Sequence, residues 1–180
     1  YFYLKRHILR AKVDIPEQDN FWVVNTHLEA FSSDGTRKRQ IDIVEETLKE
    51  MSEQGQSWII GGDFNTLPNY SETLVGFPDA CAGMFEEDTY EGEEDWMDSM
   101  FSSFTSAMDL EEYAQDNSSW FTYTGDVTVG WNRTLDYIFT NGSWVNDGMD
   151  NLVLQDIEQG GFETLHLSDH APVQAIMEVQ

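Results

Sequence analysis

Positive charge is the scarcest property of this sequence. Nine Lys and Arg stand against thirty-four Asp and Glu, a formal net charge of -25 over 180 residues. Eight of the bases precede residue 50 and are matched there by eight acids, so from Glu50 onward Arg133 is the only base and that half holds the whole imbalance. Nucleic-acid affinity rests on neutralising phosphates with Lys and Arg. Such a surface therefore repels polyanions, and tight DNA binding there would need cations to mask the repulsion. The same acidity equally suits a saline environment. Cysteine is reduced to Cys81, which excludes an internal disulfide and a cysteine-based zinc cage. No apolar run reaches 18 residues, so no segment reads as a membrane span. Proline stops at four and glycine at thirteen, while 40% of residues are hydrophobic and 13% aromatic, which excludes a disordered or low-complexity chain and supports a packed core.

Within that frame, "HILRAKVDI" (7–15) alternates apolar and polar residues and predicts a strand; "NFWVVNTHL" (20–28) predicts a second, joined to it as a hairpin. Ile41, Val44, Leu48 and Met51 recur at helical spacing between Thr36 and Gln54, and Gly55 supplies a stop. "SWIIGG" (57–62) then predicts a short buried strand, which gives the β, β, α, β order of a layered α/β domain. The stretch 85–98 holds eight acids in fourteen residues and reads as a solvated surface loop, since it lacks the D-x-D-x-D-G spacing of a calcium loop. Residues 101–114 predict a helix. "WFTYTGD" (120–126), "RTLDYIFTN" (133–141), "NLVLQDI" (151–157) and "APVQAIMEV" (171–179) predict strands that return to the sheet. No internal repeat or linker divides residues 1–180, which read as a single domain.

Four strand ends carry polar groups: His27, then Asp63 with Asn65, then Asp136, then Asp169 with His170. Each alone has an ordinary structural reading, as a turn residue, a cap or a surface side chain. Buried carboxylates and imidazoles are costly unless paired, however, and several aimed at strand ends imply one shared cleft. Carboxylates, an amide and two imidazoles, with neither a G-x-S-x-G elbow nor a P-loop, suit the attack of water on phosphorus. Asp63 can orient and deprotonate the water, and Asn65 can donate hydrogen bonds to charge developing on phosphoryl oxygens. Asp169 offers a hard oxygen ligand to Mg²⁺, and His170 can hold a phosphate oxygen if Asp136 accepts its other N–H.

"NTHL", "GGDFN", "LDYIF" and "SDHAPV", in that order, resemble the endonuclease/exonuclease/phosphatase superfamily, which includes pancreatic-type deoxyribonucleases, apurinic endonucleases, neutral sphingomyelinases and inositol polyphosphate 5-phosphatases. The resemblance implies a four-layer α/β sandwich, two mainly antiparallel sheets face to face with helices outside. It also implies a phosphoesterase that hydrolyses a phosphodiester or phosphomonoester with Mg²⁺, with Mn²⁺ or Ca²⁺ as alternatives. His27 would be an acid or phosphate ligand, Asp63 would activate water beside Asn65, Asp136 would orient His170, and Asp169 would join the metal site. Arg37 and Gln40, spaced R-x-x-Q, also fit the family and read as structural.

Departures from the family pattern matter as much. Its N-terminal asparagine and the metal-binding glutamate of its "QE" motif have no counterpart upstream of His27. The resemblance thus implies the C-terminal part of a larger fold, incomplete at its N-terminus, inactive alone and weak in Mg²⁺ binding. The alternative is a non-catalytic member whose cleft binds a ligand or a protein. Among substrates, acidity stands against nucleic acid, the scarcity of bases against inositol polyphosphates, and the lack of a clear hydrophobic hairpin, "FPDACAGMF" (77–85) aside, against lipids. The expected partner is a phosphoester of open identity.

Overall fold

The computed structural model describes residues 5–16, 18–30, 34–71, 90, 92–125, 127–155 and 164–178. The first alternating segments form β1 (Ile8–Ile15) and β2 (Gln18–His27), an antiparallel hairpin with Ile8 opposite Thr26 and Val13 opposite Phe21. Gly35, at φ 73°, takes the left-handed turn into α1 (Thr36–Glu53), a conformation that a side chain would strain. The helix buries Ile41, Val44, Leu48 and Met51, each worth about 1.5–3 kcal/mol in burial. β3 (Ser57–Asp63) runs parallel to β2, a pairing that requires a crossover, and α1 is that crossover.

Further along lie α2 (Asp98–Ser103), β4 (Thr105–Ser106), α3 (Leu110–Gln115) and β5 (Asp136–Thr140). β5 pairs antiparallel with both β3 and β4, which completes a five-stranded sheet in the order β1-β2-β3-β5-β4. One sheet face contributes Val24, Trp58, Ile60, Tyr137 and Phe139 to the core, where they meet the apolar side of α1 and Met97, Met100, Met108 and Tyr113 from the α2–α3 region. The result is a mixed α/β fold with a central sheet flanked by helices. Of the sandwich's two expected sheets, the described residues form this one and two small ladders.

Several segments differ from expectation. Residues 101–114 are two short helices rather than one, because Thr105 and Ser106 leave the first to pair with Thr140 and Phe139. Asp109 then starts the second by accepting from the Glu111 and Glu112 N–H groups. "WFTYTGD" is not a strand: Asn117–Trp120 coils into a 3-10 turn, and Tyr123 makes isolated bridges to Arg133 and His170. Nor do the last segments rejoin the large sheet. β6 (Ser143–Trp144) pairs with β9 (Met177–Glu178), and β7 (Leu152–Val153) with β8 (Val173–Gln174). The cause is Ile176, whose N–H goes to the Asn151 side chain and whose carbonyl accepts from Val145, which carries the chain from one ladder to the other.

The acidic stretch is also corrected in part. Residues 85–89 and 91 lie outside the described ones, as does the whole of "FPDACAGMF". Among the described residues Tyr90, Glu93 and Met97 are buried, whereas Glu94, Asp95 and Asp98 are exposed as expected. Arg37, fully buried on α1, binds both Glu93 carboxylate oxygens at 2.7 and 2.8 Å, and Thr66 Oγ1 donates to the same group. Arg37 also donates to the Glu29 and Ala30 carbonyls, and Gln40 Oε1 accepts the Glu29 N–H. The R-x-x-Q pair therefore secures the loop that follows His27.

Candidate active site

Strand register sets three polar residues side by side. His27 ends β2 opposite Asp63, which ends β3, and Asp63 lies opposite Asp136, the first residue of β5. Cross-strand neighbours share a face, so the three form a row across one end of the sheet. Gly62 makes the row compact: a Cβ there would stand 2.1 Å from the Thr26 carbonyl oxygen, so β2 and β3 meet closely beside Asp63.

Beyond β3 the chain turns at Asn65, which has φ 52°, a conformation that asparagine tolerates better than most residues. Its backbone N–H donates to Asp63 Oδ1 at 2.8 Å, and its side-chain amide donates to Asp63 Oδ2 and to the Leu28 carbonyl, both at 3.0 Å. The amide hydrogens thus point inward and Asn65 is buried. In this structure they hold Asp63 and the Leu28 carbonyl.

His170 arrives from the other end of the chain. The segment 169–171 is fastened by the Thr124 N–H to the Asp169 carbonyl at 3.0 Å and by the Ala171 N–H to the Thr122 carbonyl at 2.7 Å. The imidazole then places Nδ1 2.7 Å from Asp136 Oδ2 and Nε2 3.8 Å from Asp63 Oδ2. His27 Nε2 lies 3.4 Å from the same Asp63 oxygen, with its side chain 57% exposed against 13% for Asp63.

Burial is the main influence on the Asp63 carboxyl, and the neighbouring Asp136 charge adds to it; together they push its pKa up to about 6, against the pull of His170, the Asn65 N–H and Arg6. For His170, burial works to lower the pKa but is outweighed by the Asp136 hydrogen bond and the charges of Asp136, Asp63 and Asp169, so it is raised. His27 moves the other way: burial, then the positive fields of Arg6 and His170, lower its pKa. At neutral pH His27 is accordingly an uncharged hydrogen-bonding group.

Two carboxylates and an imidazole so close create a natural place for a cation. One ligand atom from each of Asp63, Asp136 and His170 lies within 4.8 Å of the others. The donor set fits a divalent cation, since added positive charge relieves the same carboxylate repulsion that raises Asp63. Its mixed oxygen and nitrogen character is typical of transition ions, whereas Mg²⁺ and Ca²⁺ favour oxygen alone. Asp169 stands outside this trio; its exposed side chain has Oδ1 3.4 Å from Ser168 Oγ.

Of the six residues singled out in the sequence, His27, Asp63, Asn65, Asp136 and His170 are linked by these contacts, and Asp169 adjoins them. Sequence reasoning missed Arg6, whose charge reaches both His27 and Asp63 and whose Nε lies 3.8 Å from Glu29. It also missed Thr122, whose hydroxyl accepts the Leu135 and Asp136 N–H groups. The clue to Thr122 was its place in "FTYTG", a β-branched segment read only as strand.

A central sheet flanked by helices, with carboxylates and imidazoles gathered at its strand ends, defines an α/β protein with a candidate cation site at one end of its sheet. The chain belongs to the endonuclease/exonuclease/phosphatase family, whose model matches residues 3–170. The clustered Asp63, Asp136 and His170 are consistent with the metal-dependent phosphoesterase site of that family. No curated protein matches the chain significantly. Among solved structures it is similar to a functionally unknown conserved protein from Enterococcus faecalis, with TM-score 0.55 and 19% identity over 96% of this chain and 56% of that one. It is similar also to the catalytic domain of Xenopus laevis APE2, with TM-score 0.58 and 17% identity over 96% and 55% of the two chains. A third is a mannosyl-6-phosphatase of Bacteroides thetaiotaomicron, with TM-score 0.52 and 16% identity over 97% and 57%. At these identities the likeness is one of fold, and the chain spans 55–57% of the length of these three structures.

Proposed function

We propose that these residues form the water-activating part of a metal-dependent phosphoesterase. The observation that carries this reading is the row His27, Asp63, Asp136 closed by His170, with the Asp63 carboxyl poised at about 6. A base with a pKa just below neutrality is ionised at pH 7 yet still takes a proton readily. Asp63 accepts a proton from water as the water oxygen attacks phosphorus and the bond to the leaving oxygen breaks. Asn65 is a positioning residue, because its three donors fix both Asp63 oxygens and the Leu28 carbonyl. Asp136 accepts a hydrogen bond from His170 Nδ1–H, which leaves the Nε2 lone pair for a cation or, in the protonated ring, Nε2–H for a phosphoryl oxygen. His27, uncharged, offers a second hydrogen bond, and Arg6 adds positive charge nearby.

Asp63, Asp136 and His170 would hold a divalent cation, with Asp169 beside them; Mg²⁺ is the expected ion, and Mn²⁺ suits the mixed donor set. Such an ion would stabilise charge on the phosphoryl and leaving oxygens. The substrate is a phosphoester, and the net charge of -25 disfavours nucleic acid. The test is hydrolysis of DNA, sphingomyelin, inositol phosphates and simple diesters by the longest natural form of the protein that contains these residues, with Mg²⁺ or Mn²⁺ and with chelator. Turnover that needs the ion and is lost in Asp63→Asn supports the reading. Ligand binding without turnover of any ester would favour a non-catalytic cleft.

A further inference from the structure

Arg133, the one base after Lys49, is buried behind aromatic rings. Its guanidinium lies 4.9 Å from the centre of the Tyr123 ring and 5.8 Å from that of Tyr90, and Nη1 donates to the Tyr90 hydroxyl at 3.3 Å. The Tyr123 ring in turn meets the His170 imidazole edge to face, with centroids 4.9 Å apart and planes at 63°. Its backbone bridges the same two residues, Arg133 and His170. Next to it, the buried Thr122 hydroxyl accepts the Leu135 and Asp136 N–H groups at 3.0 and 3.1 Å, and the Thr122 carbonyl accepts the Ala171 N–H. Thr122–Thr124 thus straps the start of β5, which carries Asp136, to the turn that carries His170.

We propose that Tyr123, backed by Arg133, is a positioning residue for His170. The His170 side chain is 30% exposed, and among the described residues its ring is hydrogen-bonded to Asp136 alone. One bond leaves the imidazole free to swing about it. A ring packed at its edge removes that freedom and keeps Nε2 directed at Asp63. A misplacement of about 1 Å in such a group costs on the order of 10²-fold in rate, so the ring matters to turnover without touching substrate. The contact is between the two rings, so phenylalanine should serve as well. The kinetic consequence rests on the hydrolytic reading above; the geometric one does not.

The experiment compares Tyr123→Phe, Tyr123→Leu and Tyr123→Met in the full protein. One readout is hydrolysis of bis(p-nitrophenyl) phosphate with Mn²⁺. The other is the chemical shift of the His170 ring protons, assigned by His170→Gln. Tyr123→Phe is expected to match the parent in both. Tyr123→Leu is expected to lower kcat about 10- to 100-fold at constant KM and to remove the ring-current displacement of the His170 signals. If Tyr123→Leu does not fold, Tyr123→Met, which refills the space flexibly, is read in the same way. Parent-like kcat and unchanged signals in the leucine or methionine variant would overturn the proposal, as would an equal kcat loss in Tyr123→Phe. If the parent hydrolyses no ester, the functional reading fails and the His170 signals alone decide the positioning role.

Discussion

His170 and Asp136 are joined at 2.7 Å through Nδ1 and Oδ2, although 34 residues separate them in sequence. The carboxylate holds one tautomer and supports positive charge on the ring. In Asp136→Asn the shape survives but the charge and the tautomer preference do not. Steady-state kinetics of that variant should show kcat reduced by about 10²–10⁴-fold. A loss under threefold would remove Asp136 from the mechanism.

Asp63 links activity and stability to pH in opposite directions. Its folded pKa, about 6, lies above the ordinary 3.8, so between these values the native state binds more protons than the unfolded one. Stability therefore falls as pH rises from about 4 to 6, by about 3 kcal/mol for a shift of that size. His170, also raised, continues the fall above 6.5, while activity rises through about pH 6 as Asp63 ionises. Urea unfolding across pH 4–8 checks the slope. Asp63→Asn should abolish activity yet raise stability at pH 8 by about 2 kcal/mol, since it removes the buried charge and sacrifices about one hydrogen bond from Asn65, worth about 1 kcal/mol.

The paired glycines before Asp63 should respond differently to alanine. At Gly61 the nearest atom to an added Cβ is Ile138 Cγ1 at 3.7 Å, an ordinary contact, whereas at Gly62 it is the Thr26 carbonyl oxygen at 2.1 Å. Gly62→Ala must part β2 from β3 beside the site and should cost about 3 kcal/mol or more. Gly61→Ala should fall within about 1 kcal/mol of the parent. Thermal melts of the two variants give the comparison.

Arg37 and Glu93 form a buried pair, and removal of one partner strands the other's charge. Arg37→Met alone should destabilise the protein by about 3–5 kcal/mol, and adding Glu93→Leu should restore most of that loss. Denaturant midpoints of the single and double variants would show the coupling; additive losses would argue against it.

Local patterns in the sequence carry the first half of this fold well. The alternation at 7–15 and 20–28, the helical spacing of Ile41, Val44, Leu48 and Met51, and the apolar run into Gly61 all match β1, β2, α1 and β3. Past residue 100 long-range pairing overrides local preference. Thr105 lies in a segment of helical character but answers to Thr140, and Ile176 bends because Asn151 and Val145 claim its backbone. The site follows the same division. Residue types at strand ends point to Asp63, Asp136 and His170, but the inward turn of the Asn65 amide and the closeness of Arg6 arise from tertiary packing. Glu93 shows the limit most plainly, since an acid within an acidic run gives no local sign that it pairs with Arg37.

The row of His27, Asp63 and Asp136 sets an order of events during folding. β2 and β3 can join once α1 has formed between them, but Asp136 reaches Asp63 only after a much longer loop has closed, and His170 later still. Contacts of such wide separation form slowly and late. On a ribosome, therefore, β1, β2, α1 and β3 can form before the cluster exists. The grouping of Asp63, Asp136 and His170 arises only once His170 has emerged, so any chemistry that depends on it waits until then.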